Sequence, residues 1–168
     1  TEDLTNSYWS KIRSSVIANQ FANPLNGDLN ADKLITSTDL GDHKLSANLP
    51  FNFIAGNYYT YSVYVKASEI TQISLTFRSN WFAPFVPPVF NLDIGTVSPG
   101  SGQVSSSMED VGNGWYRCSI TALSDVTGSS PSDIFISLLE NNSFNYTGDG
   151  VSGVYLWGLQ LTLSLIHI

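Results

Sequence analysis

Tyr59-Thr60-Tyr61-Ser62-Val63-Tyr64-Val65-Lys66 is the stretch that decides the fold. On an extended chain Tyr59, Tyr61, Val63 and Val65 fall on one side, and Thr60, Ser62, Tyr64 and Lys66 on the other. Aromatic and β-branched residues suit a pleated, half-buried surface. The same period of two recurs outward along the chain. Ile73, Leu75 and Phe77 alternate with Ser74, Thr76 and Arg78; Tyr116, Cys118 and Ile120 alternate with Trp115, Arg117, Ser119 and Thr121. Ile134, Ile136 and Leu138 alternate with Phe135, Ser137 and Leu139, and Tyr155, Trp157, Leu159 and Leu161 are predicted to share one face opposite Leu156, Gly158 and Gln160. Turn residues punctuate these runs at Ala55-Gly56-Asn57, Ser98-Pro99-Gly100, Gly112-Asn113-Gly114, Gly128-Ser129-Ser130-Pro131 and Gly148-Asp149-Gly150. No segment holds a helical apolar period; Ala31-Asp32-Lys33-Leu34 offers one weak helical turn. The pattern predicts an all-β chain folded as an antiparallel β-sandwich, a jelly roll, with a single domain over residues 1–162. Residues 98–107 read as a long loop within it.

Composition narrows the partners. The chain has 168 residues, 42% hydrophobic but only 12% charged, so it can build a core and is not disordered throughout. Seven Lys and Arg against fourteen Asp and Glu leave a net charge of -7, which speaks against nucleic acid and against an anionic membrane. No apolar run approaches the roughly 20 residues of a spanning helix, and no stretch has the layout of a signal peptide. The single Cys118 excludes an internal disulfide and a multi-cysteine zinc site.

Several motifs occur together and in order. They are Thr1-Glu2-Asp3-Leu4 with Trp9-Ser10-Lys11, Asn30-Ala31-Asp32-Lys33-Leu34, the 59–67 strand, and Phe90-Asn91-Leu92-Asp93-Ile94-Gly95-Thr96-Val97. Glu109-Asp110-Val111-Gly112-Asn113-Gly114-Trp115-Tyr116-Arg117-Cys118-Ser119, Tyr146-Thr147-Gly148-Asp149-Gly150 and Gly153-Val154-Tyr155-Leu156-Trp157-Gly158-Leu159-Gln160-Leu161 complete the set. Over nearly its whole length the chain resembles the jelly-roll, carbohydrate-binding-module-like domains of phage tail, tail-fibre and other virion proteins. The resemblance implies a virion or extracellular location and a poly- or oligosaccharide or cell-surface glycan as partner. Its alternative is a structural tail or fibre domain that joins other virion chains and binds no sugar. Residues 81–89 depart from the pattern.

Catalytic chemistry is sparse. His43 has no second imidazole nearby in sequence, and reads as a surface or loop histidine. Cys118 reads as a small core residue. Glycoside cleavage needs two carboxylates about 5–9.5 Å apart across one bond. Glu109 and Asp110 are adjacent and precede a glycine turn, so they read as a solvated loop pair. The chain is expected not to be an enzyme. No cofactor is expected. The alternative kept open is a structural calcium ion on Asp3, Asp149 and nearby carbonyls, should the first and last strands pair. Two sequons, Asn141-Asn142-Ser143 and Asn145-Tyr146-Thr147, read as polar loop.

Sugar recognition needs flat aromatic faces against the apolar face of a pyranose, with amides, cations and hydroxyls to orient the ring. On the polar strand faces the candidates are Tyr64, Lys66, Arg78, Trp115, Arg117 and Gln160, which line one concave groove if their strands share a sheet. Arg117 could instead pair with Glu109 or Asp110 across the turn. The loop at 80–89 packs three aromatics and three prolines, and Trp81 and Phe82 are its candidates for an exposed rim. Trp9 and Trp157 read as core. One β-bulge would exchange the faces.

The last six residues stand apart. Read as the codons CTG TCT CTT ATA CAC ATC, Leu163-Ser164-Leu165-Ile166-His167-Ile168 match a transposon-end sequencing adapter. The expectation is a reading frame that runs from a metagenomic fragment into adapter, so residues 163–168 are set aside from function.

Overall fold

The alternation at residues 59–66 is realised in a computed structural model as β6 (Tyr58–Ala67), an interior strand of a six-stranded sheet. The structure describes residues 3–47, 52–77, 82, 86–102, 105–128 and 134–164. In spatial order that sheet is β10 (Ser105–Gly112), β11 (Trp115–Leu123), β6, β14 (Gly153–Ser164), β3 (Leu29–Thr36) and β2 (Ser14–Ala22). A second six-stranded sheet runs β1 (Trp9–Ile12), β5 (His43–Ala47), β12 (Ile134–Leu139), β7 (Gln72–Phe77), β8 (Val89–Asn91) and β9 (Thr96–Ser98). A small pair, β4 (Leu40–Gly41) with β13 (Tyr146–Thr147), lies apart from both. Every pairing is antiparallel. The chain changes layer between β1 and β2, β5 and β6, β6 and β7, β9 and β10, and β11 and β12, and through β4 and β13 between β3 and β5 and between β12 and β14, so the two layers are built by crossovers rather than by one meander. This is the all-β antiparallel sandwich that the alternation predicts.

The core lies between the layers. Tyr59, Tyr61, Val63 and Val65 of β6 join Cys118 and Ile120 of β11 on one side. Ile73, Leu75 and Phe77 of β7 and Ile134, Ile136 and Leu138 of β12 face them from the other. Taking such a side chain out of water contributes about 1.5–3 kcal/mol. Burial pushes the Tyr61 hydroxyl and the Cys118 thiol well above their ordinary ranges, so Cys118 holds no thiolate. Trp9 is buried here too, as predicted.

Several local expectations are overturned. Residues 31–34 form no helical turn; they lie inside β3, where Leu34 fills the core opposite Val154. Glu109 and Asp110 belong to β10 and not to a loop, and β9 and β10 take in parts of the 98–107 segment. His43 is no surface residue: it is 0% exposed in β5, with Nδ1 2.6 Å from Arg13 O and Nε2 3.0 Å from Tyr146 O. Its ring lies between these two carbonyl oxygens, shut from solvent. The first and last strands do not pair, since β1 and β14 lie in different sheets. Leu163 and Ser164 continue β14 opposite Tyr59 and Tyr58; residues 165–168 lie outside the described residues.

One defect repositions the outward face. In β14, Trp157 pairs with Tyr64 but the next pair is Gln160 with Ser62, so Gly158 and Leu159 together oppose Val63. This is a β-bulge with Gly158 at φ 60°, a conformation that costs a side-chained residue about 1–2 kcal/mol. Before it Val154 and Leu156 point into the core; after it Leu159 and Leu161 do. Tyr155 and Trp157 therefore turn outward together with Gln160 and Thr162. Trp157 is not a core residue of the Leu159 face.

Candidate functional site

The outward face of the sheet carrying β6 arranges its side chains in cross-strand rows. One row runs Glu109, Arg117, Tyr64, Trp157 over β10, β11, β6 and β14. Glu109 and Arg117 are exposed, and Tyr64 and Trp157 are partly exposed. The Arg117 guanidinium lies 5.9 Å from the Tyr64 ring centre, and the Tyr64 and Trp157 rings stand 5.5 Å apart at 52°. Gly158 makes this possible. A Cβ there would come within 3.2 Å of the Tyr64 ring, so the absent side chain is the space into which that ring lies. Arg117 makes no hydrogen bond or ion pair among the described residues, even though Glu109 is its register partner. The Trp157 indole N–H is shielded and has no hydrogen-bond partner there either.

Beside this row lie smaller polar groups. Ser107 and Ser119 hydroxyls bond across the strands at 2.7 Å, as do Thr60 and Thr121 at 2.7 Å. They answer one another and are structural. Gln160 and Thr162 are exposed on the same face just past the bulge. An amide there can both donate and accept hydrogen bonds beside the two rings.

The neighbouring row, Trp115, Lys66, Tyr155 and Lys33, is different. Phe21 of β2 lies across it, 4.8 Å from the Tyr155 ring and 6.4 Å from the Trp115 ring. Lys66 Nζ sits 5.3 Å over Phe21 and donates to Asn113 O. Trp115 is thus on the predicted face but only 2% exposed, which removes it as a stacking platform. The cover comes from β2, whose register with β3 shifts between Ile17 and Phe21. Asn19 takes a φ of 56° in that interval, and its N–H donates to buried Asp32 at 2.9 Å.

The remaining candidates scatter. Phe82 is 2% exposed and packs on Phe53, Tyr59 and Phe77, with rings 5.1, 6.5 and 4.4 Å away. It belongs to the core and not to an exposed rim. Arg78 and Trp81 lie outside the described residues; the strand before Arg78, β7, is in the other sheet. Asp3 and Asp149 line two different clefts. Among the described residues no three His, Cys, Asp or Glu side chains gather as metal ligands.

The second of those clefts, about 470 Å³, opens at the loop end between Glu69, Gln72, Glu140, Asn142, Tyr146 and Asp149. Its groups mostly hold one another. Gln72 donates to Asn142 Oδ1 at 3.0 Å and accepts from Asn142 N at 2.8 Å. Partial burial raises the Glu69 carboxyl, but bonds from Lys33 and from the Glu69, Ser68 and Gly153 groups outweigh it and bring it to about 2. The Ser152 hydroxyl and the Ser152 and Val151 N–H groups hold Asp149 well below the usual carboxylate range.

No family model and no curated protein matches the chain. Among solved structures it is similar to the enzymatically active domain of tailspike protein 4 of bacteriophage CBA120, at 16% identity and a TM-score of 0.48, over 97% of this chain and 20% of that one. It is also similar to the CBM22-1–GH10 modules of the Clostridium thermocellum xylanase 10B, solved with xylohexaose. There the identity is 13% and the TM-score 0.48, over 96% of this chain and 27% of that one. The chain spans less than a third of either matched chain.

Proposed function

We propose that the Arg117–Tyr64–Trp157 row, with Gln160 beside it, is the binding surface of a non-catalytic carbohydrate-binding module. The observation that carries this reading is the register itself. Three adjacent strands bring a cation and two partly exposed rings into one line on an outward sheet face. Rings so placed offer C–H stacking, and Arg117 and Gln160 offer donors to ring hydroxyls. Weak stacking of this kind suits a repeated or fibrous parent, such as a phage tail or fibre, where many copies act together. The alternative, a structural virion domain, would use the 81–89 loop. Phe82 is turned into the core, which leaves Val86 as the exposed apolar side chain among the described residues of that loop.

Affinity electrophoresis through gels cast with soluble polysaccharides tests the proposal. Wild type should be retarded by at least one polymer, and Tyr64→Ala and Trp157→Ala should each run free. Retardation unchanged in both folded variants, or none on any polymer, would overturn it.

A further inference from the structure

Resting on the saccharide reading of this row, we infer that its ligand carries a carboxylate, as a uronic-acid polysaccharide does, and that Arg117 is the anchor. The argument begins with which cations are already engaged. Lys33 pairs with Glu69 at 2.8 Å and Lys44 with Asp42 at 3.1 Å. Lys11 donates to Thr5 O and Asn6 O, and Lys66 to Asn113 O; Arg13 lies between β1 and β2, away from this row. Arg117 is exposed in mid-strand, and its donors meet no protein acceptor among the described residues. The guanidinium is nonetheless held, 5.9 Å above the Tyr64 ring, so less freedom is lost when it binds.

Local charge agrees. On this face Arg117, Lys66 and Lys33 are the cations and Glu109 is the strand acid. The other acids of this sheet's strands point elsewhere: Asp32 is buried, and Asp110 shares the side of Tyr116. With Glu69, which pairs with Lys33, this face holds three cations against two acids in a protein of net charge -7. A planar carboxylate accepts two parallel N–H bonds from a guanidinium, whereas a sugar hydroxyl accepts less firmly. Hydrogen bonds to a charged partner are stronger than those to a neutral one.

The test measures retardation on polygalacturonate, alginate and hyaluronan, each beside its methyl-esterified form, with a neutral glucan and dextran sulfate as controls. Wild type should bind at least one uronate polymer about tenfold more tightly than its ester, and the preference should fall as salt rises. Arg117→Ala should bind acid and ester alike with its melting temperature unchanged; Arg117→Lys should keep only part of the preference. Equal retention of acid and ester by wild type, or retention by the neutral glucan alone, overturns the carboxylate inference and leaves the saccharide reading intact. So does dextran sulfate retained as strongly by wild type and Arg117→Ala, which marks general attraction to polyanions. Retention on no polymer at all overturns both.

Discussion

Two neighbouring rows on one sheet face use nearly the same residue types and come to different ends. Phe21 lies against Trp115, Lys66 and Tyr155 and leaves Trp115 buried, while Arg117 is exposed and Tyr64 and Trp157 are partly exposed. The difference lies in what two irregular strands do nearby. The shift in β2 carries Phe21 over one row, and the bulge in β14 turns Trp157 into the other. An aromatic on an outward face is therefore a platform only where no other element reaches it.

The largest expected effect separates the two tryptophans. Trp115→Ala should cost about 3–5 kcal/mol, as deletion of a buried large side chain does. Trp157→Ala, at a partly exposed ring, should cost less, about 1–2 kcal/mol. Urea denaturation measures both, and equal losses would break the comparison. Next, Gly158→Ala should destabilise by about 1–2 kcal/mol, because φ 60° is strained for alanine and its Cβ meets the Tyr64 ring. It should also weaken polysaccharide retention without touching Tyr64 chemically. A fully stable variant that binds normally would mean the bulge does not set the platform.

Phe21→Ala should cost about 1 kcal/mol, since the ring is only partly buried. Its sharper readout is tryptophan emission, which should shift red as Trp115 becomes wet; an unchanged spectrum would show that Phe21 is not the roof. Smallest is the response to acid at the loop end. Glu69 and Asp149 are held below their unfolded values, so their contribution is present above the unfolded carboxylate range near pH 4 and is lost as pH falls through the folded value. Stability should decline between about pH 5 and pH 2. Asp149→Asn should flatten that decline, and a parallel curve would remove Asp149 as a contributor.

Much of this was legible in the chain, where spacing alone decides. β6, β7, β11 and β12 follow from period two, and so does the outward placing of Tyr64, Lys66, Trp115 and Arg117. Alternation carried straight through Gly158 misplaces Trp157. An isolated glycine inside a strand pattern is the signal of a bulge, and it stood in plain view. The cover on Trp115 had no local signal, since Phe21 is distant in sequence and meets it only after β2 has curled across the sheet. Phe82 misled for a related reason. A proline-rich stretch suggests an exposed rim, but its partners Phe53 and Phe77 come from other parts of the chain. His43 likewise owes its burial to carbonyls of Arg13 and Tyr146 that strand pairing brings to it.

The most direct measurement follows the indole N–H resonances of the folded protein during titration with a retained oligosaccharide. The Trp157 signal should move progressively, while the Trp115 signal stays in place beneath Phe21. A Trp157 resonance that does not respond to a ligand the protein demonstrably binds would contradict the account.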